Sequence, residues 1–268
     1  MSSPDRQQRI ATLRDAIADI ERKPALAEVR ARMIGHGDGF PKLAGGLLQE
    51  VFTDSVRNGG ASLAFALGQA KTLLQAQRSA VLYVQLASDA QFFGLPYGPG
   101  LVSFGFEPAQ LLIVRTAEMA EFLWVAEEAL ACQAVAGIVA DVGGEPGPLD
   151  FTASRRLSMR AAENGASLFL LRYGSGRESS AAHLRWHVSP HGAARKRHDR
   201  NAPGQARWRI RLEKGVTDRQ RAEWLLEWGE NGFAEIQIPS TERRQLYVGT
   251  AFPGAVSPQL ADGLSQTA

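Results

Sequence analysis

At 268 residues with a formal net charge of +2, the chain is long enough to bury the core of one large domain with small additions. It holds no apolar run long enough to span a bilayer, and from its polar, charged start, Met1 to Arg9, neither a secretory signal nor a membrane anchor is expected. A cytoplasmic protein with no membrane partner is expected, and the single cysteine, Cys132, reads as a small buried hydrophobe that has no disulfide partner.

Residues 5 to 34 carry apolar positions at helical spacing (Ile10, Leu13, Ile17, Ile20, then Leu26, Val29, Met33), interrupted at Pro24, so residues 1–40 read as an N-terminal helical segment. Leu47 to Phe52 reads as a first strand. It enters a glycine-rich loop, residues 55 to 62, that is followed by a helix predicted over 62–77. Ala80 to Leu86 is an apolar run without alternation, the mark of a strand buried on both faces in a parallel sheet. The alternation then repeats: a strand at Leu111 to Arg115, a helix over 117–132, a strand at Ala136 to Val142, a helix over 152–164 and a strand at Ser167 to Arg172. This is the order of an α/β core with a mostly parallel central sheet and helices on both faces.

Beyond Tyr173 the texture changes. A loop at Gly174 to Ser180 leads to runs that alternate apolar and polar: His183 to Val188, Arg207 to Leu212, Trp224 to Trp228 and Phe233 to Ile238. They predict half-exposed antiparallel strands, a C-terminal β extension that starts near 183 and closes a core spanning 41–238. In Arg207 to Leu212 the arginines Arg207, Arg209 and Arg211 share one face and Trp208, Ile210 and Leu212 the other. The tail, 239–268, is rich in Pro, Gly, Ser, Thr and Gln without a sustained period and reads as flexible.

The loop at 55–62 has the place of a phosphate-binding loop, G-x-x-x-x-G-K-[ST], in which backbone amides and a lysine hold phosphates and a hydroxyl holds Mg²⁺. Gly60 and Ser62 fit the pattern, Gly59 adds backbone freedom, and Ser55 and Ala61 depart from it. An ordinary glycine-rich turn fits the same residues. Asp141 closes the strand Ile138 to Asp141, where a phosphate-loop NTPase keeps a carboxylate for Mg²⁺, or where an aspartate caps a turn. His183, His187 and His191 are spaced to share a strand face, but no cysteine or carboxylate cluster accompanies them, so no metal site is expected. No HExxH, GxSxG or paired-carboxylate pattern appears, and no catalytic residue is assigned.

Charge is unevenly placed. Between His183 and Glu223 there are eleven Lys/Arg against four Asp/Glu. The run Arg195, Lys196, Arg197 and Arg200 reads as an exposed basic loop suited to nucleic-acid phosphates or an acidic partner, or as a solvated face. Trp186, Trp208, Trp224 and Trp228 lie among these arginines, which suits either base stacking or a sheet core, the latter preferred for Trp224 and Trp228.

Tyr97-Gly-Pro-Gly-Leu101, the helix with Glu121-Phe-Leu-Trp124 and Glu127-Glu128, Leu149 to Leu157, Ala206 to Leu212 and Trp224 to Trp228 together resemble, in their order, the RecA-like recombinase core, and within it the ImuA family of SOS-mutagenesis proteins. The resemblance covers residues 40 to 238. It implies a RecA-like P-loop core in which 55–62 falls on the phosphate loop, Asp141 on the Mg²⁺-associated aspartate, and 142–150 and 173–182 on two DNA-facing loops. It further implies an accessory role in DNA-damage-induced translesion synthesis, with an ImuB-like Y-family protein, an error-prone C-family polymerase, RecA and single-stranded DNA as partners at the nucleoid. The DNA or partner contacts would be Arg177, Arg195, Lys196, Arg197, Arg200, Arg207, Arg209 and Arg211. The departures are Ala61 at the lysine position and Ala87 at the place of the water-polarising glutamate, with Asp89 two residues on as a doubtful substitute. A degenerate nucleotide site at Gly59, Gly60, Ser62 and Asp141 follows, holding ATP with Mg²⁺ weakly if at all. The alternatives are an active RecA-like DNA-dependent ATPase and a pure protein-interaction module.

Overall fold

Among the described residues, nine strands form one sheet in the order β11-β10-β9-β8-β3-β7-β6-β4-β5. They are β3 (Leu48–Thr53), β4 (Ala80–Leu86), β5 (Leu111–Thr116), β6 (Val135–Asp141), β7 (Ser167–Tyr173), β8 (Leu184–His191), β9 (Arg207–Lys214), β10 (Glu223–Gly229) and β11 (Gly232–Glu235). A separate antiparallel pair joins β1 (Met33–Ile34) to β2 (Lys42–Leu43). This computed structural model describes residues 33–34, 40–143, 149–174, 176–193, 202, 204–215, 223–229 and 232–237. The expected helices before residue 33 and the expected flexible tail lie outside the described residues; Met33 itself is in a strand rather than a helix. Contacts divide the chain after Ile236, and every element named here precedes that point.

Strands β8, β3, β7, β6, β4 and β5 run parallel, as the unbroken apolar runs predict. Every residue of β3 and β6 is buried, because helices or loops cover both faces. The antiparallel extension begins one strand later than expected: β8 is parallel to β3 and antiparallel only to β9. The architecture is α/β, with a mostly parallel sheet, helices on both faces and C-terminal antiparallel strands.

The helices are α1 (Gly59–Lys71), α2 (Ala87–Phe93), α3 (Gly98–Ser103), α4 (Met119–Ala131) and α5 (Phe151–Asn164). α5 shows why the ends fall where they do. The Asp150 carboxylate accepts from the Ala153 amide at 2.7 Å, and Gly165 closes the helix at φ +76. α1 starts three residues before its predicted start, so both glycines of the loop belong to its first turn, and it stops at Lys71 rather than near 77. α2 and α3, too short to carry a period, have no counterpart among the predicted elements. Cys132 corrects an expectation: it is exposed, because the chain leaves α4 there in an extended conformation.

Two cores lie on opposite faces of the sheet. One joins α1 to Val51, Tyr83, Val139, Leu171 and the inward residues of β8 to β10; the other joins α4 and α5 to Leu48, Leu82, Ile138 and Leu168. In the first, Trp186 and Trp224 are wholly buried and meet Phe40, with ring centroids 5.7 and 5.5 Å away. Trp208 and Trp228 pack on Phe233 at 5.5 and 4.9 Å. All four tryptophans are sheet core, so base stacking by Trp186 and Trp208 is excluded. Among the described residues no helix is long and apolar enough to cross a membrane.

Candidate functional site

The C-terminal ends of β3, β7, β6 and β4 carry Thr53, Tyr173, Asp141 and Gln85 on the α1 side of the sheet, beside the loop that leads into α1. In a parallel sheet this end collects the loops that bind ligands. Residues Val56–Asn58 form a turn of 3₁₀ helix rather than an open cradle. Its own groups use the amides: Arg57 N–H donates to the Ser55 hydroxyl, Asn58 N–H to the Ser55 carbonyl and Gly59 N–H to the Val56 carbonyl.

The residues expected at a nucleotide site divide. Gly59 and Asp141 come to the same end of the sheet, with Tyr173 between them. A Cβ on Gly59 would lie 3.2 Å from the Tyr173 ring, and the Tyr173 hydroxyl donates to Asp141 Oδ1 at 2.8 Å. Gly60 is exposed, and a Cβ added there would meet no neighbouring group within 4 Å. Ser62 is fully buried and its hydroxyl donates back to the Gly59 carbonyl at 3.0 Å. Ala87 is exposed at the start of α2, and Asp89 accepts from the Gly143 amide at 2.9 Å, which pins a loop.

Asp141 is 3% exposed. Tyr83 also donates to it, at 2.6 Å, and the Gln85 amide at 3.3 Å. Burial raises the Asp141 carboxyl above its usual value while the donated hydrogen bonds pull it back; burial beside that carboxylate raises both phenols. Phe93 of α2 stacks on Tyr173 with ring centroids 5.2 Å apart and planes 11° from parallel. Thr53 Oγ1 and Gln85 Oε1 are buried there without a partner. Outside this layer is an open cleft of about 830 Å³, lined by Asp54 to Arg57, Gly143, Arg172, Tyr173, Gly174, Gly176 and Glu178.

The opposite face of β3 holds groups that the sequence analysis missed. Glu50, 1% exposed, accepts from Arg185 Nε and the Ser180 hydroxyl, each at 2.8 Å, and lies 3.6 Å from Arg172. Phe52 carries three guanidiniums around its ring: Arg177 at 4.0 Å, Arg185 at 5.3 Å and Arg172 at 5.7 Å. A charge inside the apolar run of β3 and another near the end of β7 were the available signals.

The expected basic contacts are also placed. Arg177 binds Glu213 at 2.7 Å. Arg207, Arg209 and Arg211 do share the outer face of β9, but each meets a carboxylate: Glu227 at 2.6 Å, Glu223 at 3.2 Å and Glu213 at 3.0 Å. Arg195, Lys196, Arg197 and Arg200 lie outside the described residues. His187 pairs with Asp54 at 2.9 Å, and among the described residues no group of three metal-ligating side chains exists.

Two curated relatives decide the family. The proteins named ImuA from Caulobacter vibrioides strains NA1000 / CB15N and ATCC 19089 / CB 15 are each 31% identical to this chain over 185 residues, covering 65% of it and 70% of the relative. The chain belongs to the ImuA family. No protein-family model matches it. A solved KaiC-like protein from Pyrococcus horikoshii OT3 is similar at 15% identity with a TM-score of 0.47, over 78% of this chain and 98% of that one. In this ImuA-family chain, then, the loop, the aspartate and the half-buried Tyr173 phenol between them occupy one end of the parallel sheet.

Proposed function

We propose that this ImuA-family chain is an accessory protein of DNA-damage-induced (SOS) mutagenic translesion synthesis that works by binding rather than by hydrolysing ATP. Its partners are an ImuB-like Y-family protein and an error-prone C-family polymerase, with RecA and single-stranded DNA as further contacts, at the nucleoid. The observation that carries the non-hydrolysing part is the Tyr173 side chain between Gly59 and Asp141. Mg²⁺ demands an octahedral oxygen shell and keeps several waters, whereas the Asp141 carboxylate is enclosed by three protein donors. Ala61 supplies no cation to a phosphate, Ser62 is turned into its own helix, and Ala87 supplies no base. The described residues expected to hold a magnesium–nucleotide do not fit it, and phosphoryl transfer depends on just that positioning and charge.

A sensitive ATPase assay with single-stranded DNA tests this reading. Background turnover is expected; clear turnover that disappears in Ser62→Ala or Asp141→Asn would establish the active RecA-like ATPase instead.

A second reading, a protein-interaction module that does not touch DNA, is favoured by the pairing of Arg177, Arg207, Arg209 and Arg211 with glutamates. In the first reading, by contrast, DNA contact depends on the 195–200 loop. A pulldown of the Y-family partner by the chain lacking 239–268, run beside a single-stranded DNA shift assay, separates the two: no shift at low salt leaves only the interaction module.

A further inference from the structure

Helices α4 and α5 lie side by side on one face of the sheet, and Glu127 of α4 joins them by meeting both Arg156 and Arg160 of α5. α4 buries Phe122, Leu123, Ala126 and Leu130. The helical period therefore turns Glu121, Trp124 and Glu128 outward, and all three are exposed, Trp124 at 65%. α5 buries Ala153, Ser154, Leu157, Ser158 and Ala161, which turns Arg155, Arg156 and Met159 outward, Met159 at 54%. Among the described residues Glu128 and Arg155 form no ion pair. Tryptophan, methionine and arginine are the side chains that interfaces favour, and here they stand in water on neighbouring helices.

The charge on this face is divided by helix: Glu121 and Glu128 make α4 acidic, and Arg155 and Arg156 make the middle of α5 basic. A partner of one sign would be repelled by half of it. A second copy of this chain would not, because a two-fold axis running between the helices sets α4 of each copy over α5 of the other, acid against base twice over. We infer that the α4–α5 face is where two copies of this chain associate, with Trp124 and Met159 at its centre and Glu128 pairing with Arg155 across it. The inference goes beyond the accessory role proposed above and does not rest on it.

Sedimentation velocity of the full chain across micromolar concentrations tests it, and a monomer–dimer equilibrium is expected. Trp124→Ala removes the aromatic anchor and is expected to weaken the dimer about thirtyfold or more. Glu128→Arg alone and Arg155→Glu alone each set like charges opposite one another at both contacts, and each is expected to weaken the dimer at least about tenfold. Mixed in equal amounts, the two reversed chains regain both contacts and are expected to form a heterodimer as tight as the original. Damage to either fold could not give that recovery. Circular dichroism checks that each variant stays folded, as substitution at an exposed position predicts. A chain that remains monomeric, a dimer indifferent to all three substitutions, or reversed chains that dissociate without recovery on mixing would each overturn the inference. If the chain is monomeric and Trp124→Ala instead abolishes pulldown of the Y-family partner, the face belongs to that partner.

Discussion

Glu50 on β3 and Arg185 on β8 face one another in register, and the Arg185 Nε donates to the Glu50 carboxylate at 2.8 Å with that side chain 1% exposed. The pair is joined to Arg172, which bonds Glu178, so one buried carboxylate holds two guanidiniums. Breaking a buried pair by removing one partner leaves an uncompensated charge. Glu50→Ala is therefore expected to destabilise the chain by about 3–5 kcal/mol, measured by urea unfolding. Arg211→Ala, at an exposed pair, is expected to change stability by about 1 kcal/mol or less. Equal effects of the two substitutions would show that the Glu50 cluster is solvated.

Two glycines of α1 make opposite predictions. A Cβ at Gly68 would lie 2.6 Å from the Phe233 ring and 2.8 Å from Trp228, both held in the aromatic cluster. Gly68→Ala is expected to cost about 1–3 kcal/mol by overpacking. A Cβ at Gly60 would meet no neighbouring group within 4 Å. Gly60→Ala is expected to be neutral or to stabilise by about 0.4–1 kcal/mol, since alanine lowers the entropy of the unfolded chain. Thermal unfolding checks both. Damage-induced mutagenesis in cells carrying Gly60→Ala checks the function: a phosphate cradle would not tolerate the methyl group, and a loss of mutagenesis with unchanged stability would restore that role to the loop.

The parallel core was legible because strands buried on both faces read as unbroken apolar runs, and Ala80 to Leu86 is predicted to the residue. The alternation of Trp208, Ile210 and Leu212 with Arg207, Arg209 and Arg211 was equally plain. Their partners were not, because Glu223 and Glu227 come from β10 and meet β9 only through tertiary register. The same limit hid Tyr173. A tyrosine after an apolar strand carries no periodic signal, and its meaning comes from Asp141, 32 residues earlier, and from Phe93 on a helix too short to predict. Local pattern gave the strands; the contents of the site depend on which strand ends are neighbours.

The Asp141 cluster predicts a pH dependence with two windows. Burial raises the folded-state carboxyl above its ordinary 3.8, so the folded chain binds that proton more tightly than the unfolded chain does. Stability then falls as pH rises from 3.8 to the raised value, and Asp141→Asn removes that slope. Tyr83 and Tyr173 are raised above their ordinary 10.0, so their contribution is intact below pH 10 and is lost above it. Each phenol adds about 1.4 kcal/mol per pH unit to the alkaline slope. Unfolding followed by phenolate absorbance is expected to show these two groups ionising only as the chain unfolds, with the slope reduced by one proton in either phenylalanine variant. Ionisation of Tyr173 in the folded chain near pH 10 would mean that the layer over Asp141 is open.

Arg207 and Glu227 stand directly opposite on antiparallel strands, with their charged atoms 2.6 Å apart and both side chains about a quarter exposed. Such a cross-strand pair contributes about 0.2–1 kcal/mol, so a double-mutant cycle is expected to return a coupling in that range. The pairing also limits what Arg207 can do for DNA. A guanidinium already neutralised by a carboxylate releases few counterions when a phosphate arrives, whereas an unpaired cation contributes about 0.7 to the salt slope of single-strand binding. Arg207→Ala is therefore expected to leave the slope unchanged. Joint alanine replacement of Arg195, Lys196 and Arg197 is expected to reduce it by about 2 and to weaken binding at low salt. If the Arg207 variant flattens the slope and the triple variant does not, the DNA surface is the face of β9, and the glutamates of β10 give way to phosphates on binding.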